Sequence, residues 1–113
     1  MIQILHNPRC GKSRVCLAFI EKSGQEFEVI KYLENSFTFD ELSEIIQKLN
    51  IKPIELVRQK EKIWVENFKT KKMTDKTIIQ AMVSNPILIE RPIVIKGNQA
   101  VIARPLEKVQ DFI

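Results

Sequence analysis

Two short runs of strand-forming residues, IQIL (Ile2 to Leu5) and FEVIKYL (Phe27 to Leu33), flank a segment whose hydrophobicity repeats with a helical period. Val15, Cys16, Phe19 and Ile20 recur there at three- and four-residue spacings, which predicts one apolar helix face, and Gly24 supplies the stop. Strands separated by a whole helix do not close as a tight hairpin. The connection suits a right-handed crossover that lays them parallel in one sheet. This opening commits the chain to an α/β architecture.

The middle of the chain is helical. Thr38 and Glu41 have capping-box spacing, with Leu42, Ile45, Ile46 and Leu49 repeating behind them, and Pro53 restarts a short helix carrying Ile54 and Val57. Thr74 reads as an N-cap for a helix that buries Ile78, Ala81 and Met82 and breaks at Ser84-Asn85-Pro86. Beyond it PIVIKGNQAVIA places two β-branched runs around Gly97-Asn98, a hairpin signal, and PLEKVQDFI predicts a short terminal helix. The order is β-α-β, a helical block, β-β, α. That order resembles the thioredoxin-like arrangement, a small mixed sheet flanked by helices, here with a helical insertion between the second and third strands. Folds of this kind carry their chemistry where the first strand ends and the first helix begins.

A chain of 113 residues with 44% hydrophobic content supports one domain, residues 1–113, with a modest core. No apolar stretch nears the roughly 20 residues of a membrane span, and Met1 runs straight into IQIL without a basic leader, so a cytoplasmic protein with no membrane partner is expected. A net charge of +4 permits anionic ligands, but with 28% charged residues of mixed sign it describes an ordinary solvated surface. No nucleic-acid partner is expected.

The stretch HNPRCGKSR, His6 to Arg14, holds Cys10 at the strand-to-helix junction. Unpaired N–H groups at a helix start carry about half a positive charge and favour a thiolate over a thiol. His6, Arg9, Lys12 and Arg14 add cationic neighbours, and a thiol so placed becomes a nucleophile. The alternative for Cys10 is a small buried hydrophobe. Cys16 shares a face with Phe19 and Ile20 and reads as core. Six residues of helix separate it from Cys10 by roughly 9 Å, beyond the span of about 4.4–6.8 Å that a disulfide bridges. Arg91 and Arg104 stand at the outer ends of the hairpin strands, which a hairpin brings together, and paired guanidinium groups suit a tetrahedral oxyanion. Singly, each arginine also reads as a solubilising charge, as does Arg58 in ELVRQK.

HNPRCGKSR, LVR, NPILIERPIVI and ARP, in this order over nearly the whole chain, resemble the arsenate reductase family of the glutaredoxin-coupled type. The resemblance implies that Cys10 attacks arsenate and that Arg58, Arg91 and Arg104 bind the oxyanion or stabilise the thiolate. It also implies that His6 and Ser13 tune the cysteine. Glutathione would then be a co-substrate, with no bound cofactor or metal, and glutaredoxin a partner of a monomeric enzyme. Asn7 and Arg14 belong to the same signature. Pro92 falls where the thioredoxin-like fold places a cis proline facing the cysteine. Two departures stand out: Lys12 replaces a small polar residue, and the C-terminal extension of longer relatives is missing. Two rival functions share the fold: a non-catalytic transcription-associated adaptor using the basic segment Lys69 to Lys72, and a thiol oxidoreductase for another substrate.

Overall fold

The computed structural model describes residues 1–113. Four strands, β1 (Ile2–Leu5), β2 (Phe27–Ile30), β3 (Ile93–Lys96) and β4 (Gln99–Ile102), form one sheet in the order β2-β1-β3-β4. β1 and β2 run parallel with Ile2 opposite Phe27, as the crossover through α1 (Gly11–Lys22) requires. β1 pairs antiparallel with β3, and β3 with β4. The sheet is therefore mixed, in the thioredoxin-like manner expected. The hairpin turns at Gly97, whose φ of 62° at the first turn position is one that glycine adopts without strain.

The chain divides into two compact units, one of residues 1–35 and 91–113 and the other of residues 36–90. In the first, Ile2, Ile4 and Val94 on one face of the sheet are buried together with Cys16 and Ile20 of α1 and Val109 of α6 (Glu107–Gln110). Full burial of an aliphatic side chain contributes about 1.5–3 kcal/mol. This cluster fixes α1 over the strand that leads into it. The second unit holds α2 (Phe39–Leu49), α3 (Pro53–Leu56), α4 (Lys62–Asn67), α5 (Asp75–Ser84) and a 3₁₀ turn at Pro86–Leu88. The capping box at Thr38 and Glu41 is present in both directions. Thr74 caps α5 through the Thr77 N–H, with Ile78, Ile79, Ala81 and Met82 buried behind it. Val57 and Ile89 form an antiparallel bridge.

Three local expectations need correction, and one helix went unforeseen. Val15 is 56% exposed, because the buried stripe of α1 runs Ser13, Cys16, Ile20 and Ser13 takes an inner position for hydrogen-bonding reasons. β2 stops at Ile30, opposite the last residue of β1, and Lys31 to Glu34 turn away. Val57 is buried but lies just past α3 in extended backbone. α4 was not foreseen: it spans 6 residues, too few to display a period, and is anchored by buried Trp64 stacked on Phe68 at 5.5 Å. The Arg91–Pro92 peptide is cis as expected, and so is Arg104–Pro105, for which the sequence offered no signal.

Candidate active site

After β1 the chain makes a tight, hydrogen-bonded loop. His6 and Asn7 are buried at 6% and 7% exposure, polar side chains that need partners there. The Asn7 N–H donates to Ser13 Oγ at 3.0 Å, and Ser13 Oγ lies 2.7 Å from His6 Nδ1. Asn7 Oδ1 accepts from the Arg9 N–H, and the Asn7 carbonyl accepts from the Cys10 N–H, both at 3.0 Å. Arg14 Nη1 donates to the Pro8 carbonyl at 2.8 Å. Ser13 is thus the post around which the loop is tied, and this accounts for a hydroxyl inside the apolar stripe of α1.

The same loop delivers Cys10 to the N-cap of α1. Its backbone is extended (φ −95°, ψ 121°) and its carbonyl accepts from the Arg14 N–H at 3.1 Å. Partial burial works against a charge on the sulfur. The Ser13 N–H in the first helical turn, the Arg91 guanidinium and the Lys12 N–H work for it and prevail, leaving the thiol more acidic than an ordinary cysteine. Arg104 Nη2 lies 3.8 Å from Cys10 Sγ, and Arg104 Nε donates to the Arg91 carbonyl. The hairpin register explains the convergence: Ile93 pairs with Ile102, and the Ala103 N–H donates to the Pro92 carbonyl, so residues 91 and 104 leave the sheet side by side. A sulfur whose thiolate form is favoured, with two guanidinium groups beside it, is suited to receive an oxyanion and attack its central atom.

His6 is held below its ordinary pKa by burial first, then by the positive charges of Lys31 and Arg14. A neutral ring protonated on Nε2 offers Nδ1 as acceptor for the Ser13 hydroxyl. Lys31 had not been anticipated as a neighbour; its place at the end of β2, parallel to β1, was the available signal. Cys16 is fully buried, and desolvation pushes its thiol up to about 11. Both cysteines are free. Arg58 lies in the helical unit, where its N–H donates to the Leu88 carbonyl and its guanidinium meets Glu61 Oε1 at 2.6 Å and Glu90 Oε1 at 3.8 Å. His, Cys, Asp and Glu side chains nowhere gather in threes as a metal site would need.

The sequence model of the ArsC family matches residues 5–112. The chain is 40% identical over 114 residues to the uncharacterised protein YfgD of Escherichia coli strain K12, covering 99% of this chain and 96% of that one. It is 41% identical over 113 residues to the arsenate reductase of Acidiphilium multivorum, covering 99% of this chain and 80% of the longer protein. Among solved structures, arsenate reductase from Vibrio cholerae is similar with a TM-score of 0.93 at 39% identity, over 99% of this chain and 97% of the other. Likeness of sequence and backbone over almost the full length leads to one assignment: the chain belongs to the ArsC family.

Proposed function

We propose that this protein reduces arsenate to arsenite, with Cys10 as nucleophile and glutathione and glutaredoxin as the source of electrons. The observation that carries the proposal is the Cys10 sulfur at the start of α1 with Arg91 acting on it and Arg104 Nη2 3.8 Å away. Arsenate is an anion and so is the thiolate, and their repulsion in water is offset by fixed cations in a partly dehydrated site. Arg91 and Arg104 supply those cations. His6 and Ser13 position the loop that holds the sulfur.

The steps balance as follows. Cys10 thiolate forms a sulfur–arsenic bond while one arsenate oxygen takes up protons and leaves as water. Glutathione then adds its sulfur to arsenic, and a second oxygen leaves as water. The glutaredoxin thiolate attacks the glutathione sulfur, whose bond to arsenic breaks with the electron pair left on arsenic. Arsenic falls from the +5 to the +3 state, and two thiols become one mixed disulfide. Water releases arsenite and restores the Cys10 thiolate. Such a reaction belongs in a reducing cytoplasm, and one chain suffices for it.

The test is a coupled assay with arsenate, glutathione, glutaredoxin, glutathione reductase and NADPH. NADPH loss that needs both arsenate and this protein is expected. No arsenate-dependent loss, with the protein folded and Cys10 reduced, would redirect attention to another thiol substrate or to an adaptor. An adaptor, however, has no use for two guanidinium groups gathered at a thiolate.

A further inference from the structure

Cys10 is only half-buried, and around its sulfur stand Arg104 Nη2 at 3.8 Å, the Arg91 guanidinium and the first-turn N–H groups of Lys12 and Ser13. Arg104 Nε donates to the Arg91 carbonyl, which ties the two arginines into one anion cradle. The other thiol is out of reach. Cys16 is fully buried in the apolar cluster beneath α1, so a sulfur bond that Cys10 forms with a ligand meets no second cysteine to break it. Most tetrahedral oxyanions give such a thiolate nothing to do. Sulfate and phosphate present only oxygen at their surface, and their central atoms yield none of it to a thiol. Thiosulfate has the shape and charge of sulfate with one oxygen replaced by sulfur. That outer sulfur is open to a nucleophile, and sulfite is a ready leaving group.

We propose that this protein is also a sulfurtransferase: Cys10 takes the outer sulfur of thiosulfate, holds it as a persulfide, and passes it to an external thiol or to cyanide. The activity shares its nucleophile with the arsenate reaction and involves no arsenic. Cys10 thiolate bonds to the outer sulfur as the bond between the two thiosulfate sulfurs breaks, its electron pair leaving with sulfite. A thiolate and a dianion become a persulfide anion and a dianion, so neither a proton nor an outside reductant is consumed. Negative charge moves in that step from Sγ onto the sulfite oxygens, and the cations at Arg91 and Arg104 are fixed where that charge develops. The arginines thus act on the leaving group. The persulfide is a reversible cap. In the return step the acceptor bonds to the terminal sulfur, the persulfide bond breaks, and Cys10 departs as the thiolate that its place at the start of α1 favours.

The test follows sulfur rather than arsenic. Reduced protein is mixed with thiosulfate and its intact mass is read, then cyanide is added and thiocyanate is measured. A gain of one sulfur atom on Cys10, removed by cyanide with one equivalent of thiocyanate formed, is expected. Cys10→Ser should show neither, and Cys16→Ala should show both. Sulfate should compete with thiosulfate for loading, yet leave the reaction of Cys10 with diallyl trisulfide, an uncharged sulfur donor, unchanged. Arg104→Ala should raise the KM for thiosulfate about tenfold and still react with the trisulfide. No mass gain, with Cys10 reduced and the protein folded, would overturn the proposal, as would loading that neither sulfate nor Arg104→Ala affects. The coupled arsenate assay is run on the same sample. NADPH loss without persulfide removes sulfur transfer alone, and persulfide without NADPH loss upholds sulfur transfer and removes arsenate reduction alone.

Discussion

At Cys10 the competition is between burial, which resists charge, and the Ser13 and Lys12 N–H groups with Arg91, which favour it. The favourable set wins, and this predicts a measurable acidity. The rate of alkylation of Cys10 against pH should inflect below about 8.5, the ordinary thiol value; an inflection at or above that value would remove the activated thiolate from the mechanism. Cys16 stands in the opposite environment, with its thiol pushed up to about 11 by desolvation. Cys10→Ser should abolish arsenate reduction, and Cys16→Ala should retain it at a stability loss of about 1 kcal/mol. Loss of activity in both, with folding intact by circular dichroism, would indicate a second essential thiol. His6 predicts a pH effect on stability. Its folded pKa lies below the ordinary 6.5, so on acidification the unfolded chain takes the proton first. The stabilisation is full above pH 6.5 and is lost as pH falls from 6.5 towards the folded value. Melting temperatures between about pH 7.5 and 5 should fall more steeply for the wild type than for His6→Gln, and parallel slopes would acquit His6.

Elements were legible in the sequence where a local rule and a tertiary need agreed. The capping box at Thr38 and Glu41 is one such case, and its residue spacing alone located the start of α2. Thr38→Ala should cost about 1 kcal/mol in urea unfolding, whereas an unchanged midpoint would show the cap to be redundant. The hairpin is another: Gly97 marks the turn, the turn sets the register, and the register brings Arg91 and Arg104 together. What stayed hidden depended on contacts between distant segments. Val15 satisfies the helical period, yet the buried place in α1 went to Ser13 because His6 and Asn7 lie next to it in space. The end of β2 was set by the length of β1, which no feature of FEVIKYL encodes. Of the site residues, Cys10 was legible from its place at a helix start. The contact of Arg58 with Glu90 at 3.8 Å was not, since Glu90 lies far along the chain, although Glu61 at 2.6 Å is only three residues on.

For the molecule as a whole, a net charge of +4 with arginines gathered at one sulfur predicts linkage between anion binding and folding. Sulfate has the shape of arsenate and is not reduced by thiols. At a hundred times its dissociation constant it should add about 2.7 kcal/mol to stability, read as a rise in Tm. The double variant Arg91→Ala and Arg104→Ala should lose that rise; equal shifts in variant and wild type would assign it to general salt effects. The chain also holds just two cysteines, and one of them is sealed in the core. The environment that favours a thiolate at Cys10 also readies it for hydrogen peroxide. A sulfenic acid formed there has no neighbouring sulfur to condense with, so dissolved thiols intercept it or it proceeds to sulfinic acid, beyond ordinary repair. The working life of this protein under oxidative stress is therefore set by the thiol pool around it rather than by its own fold.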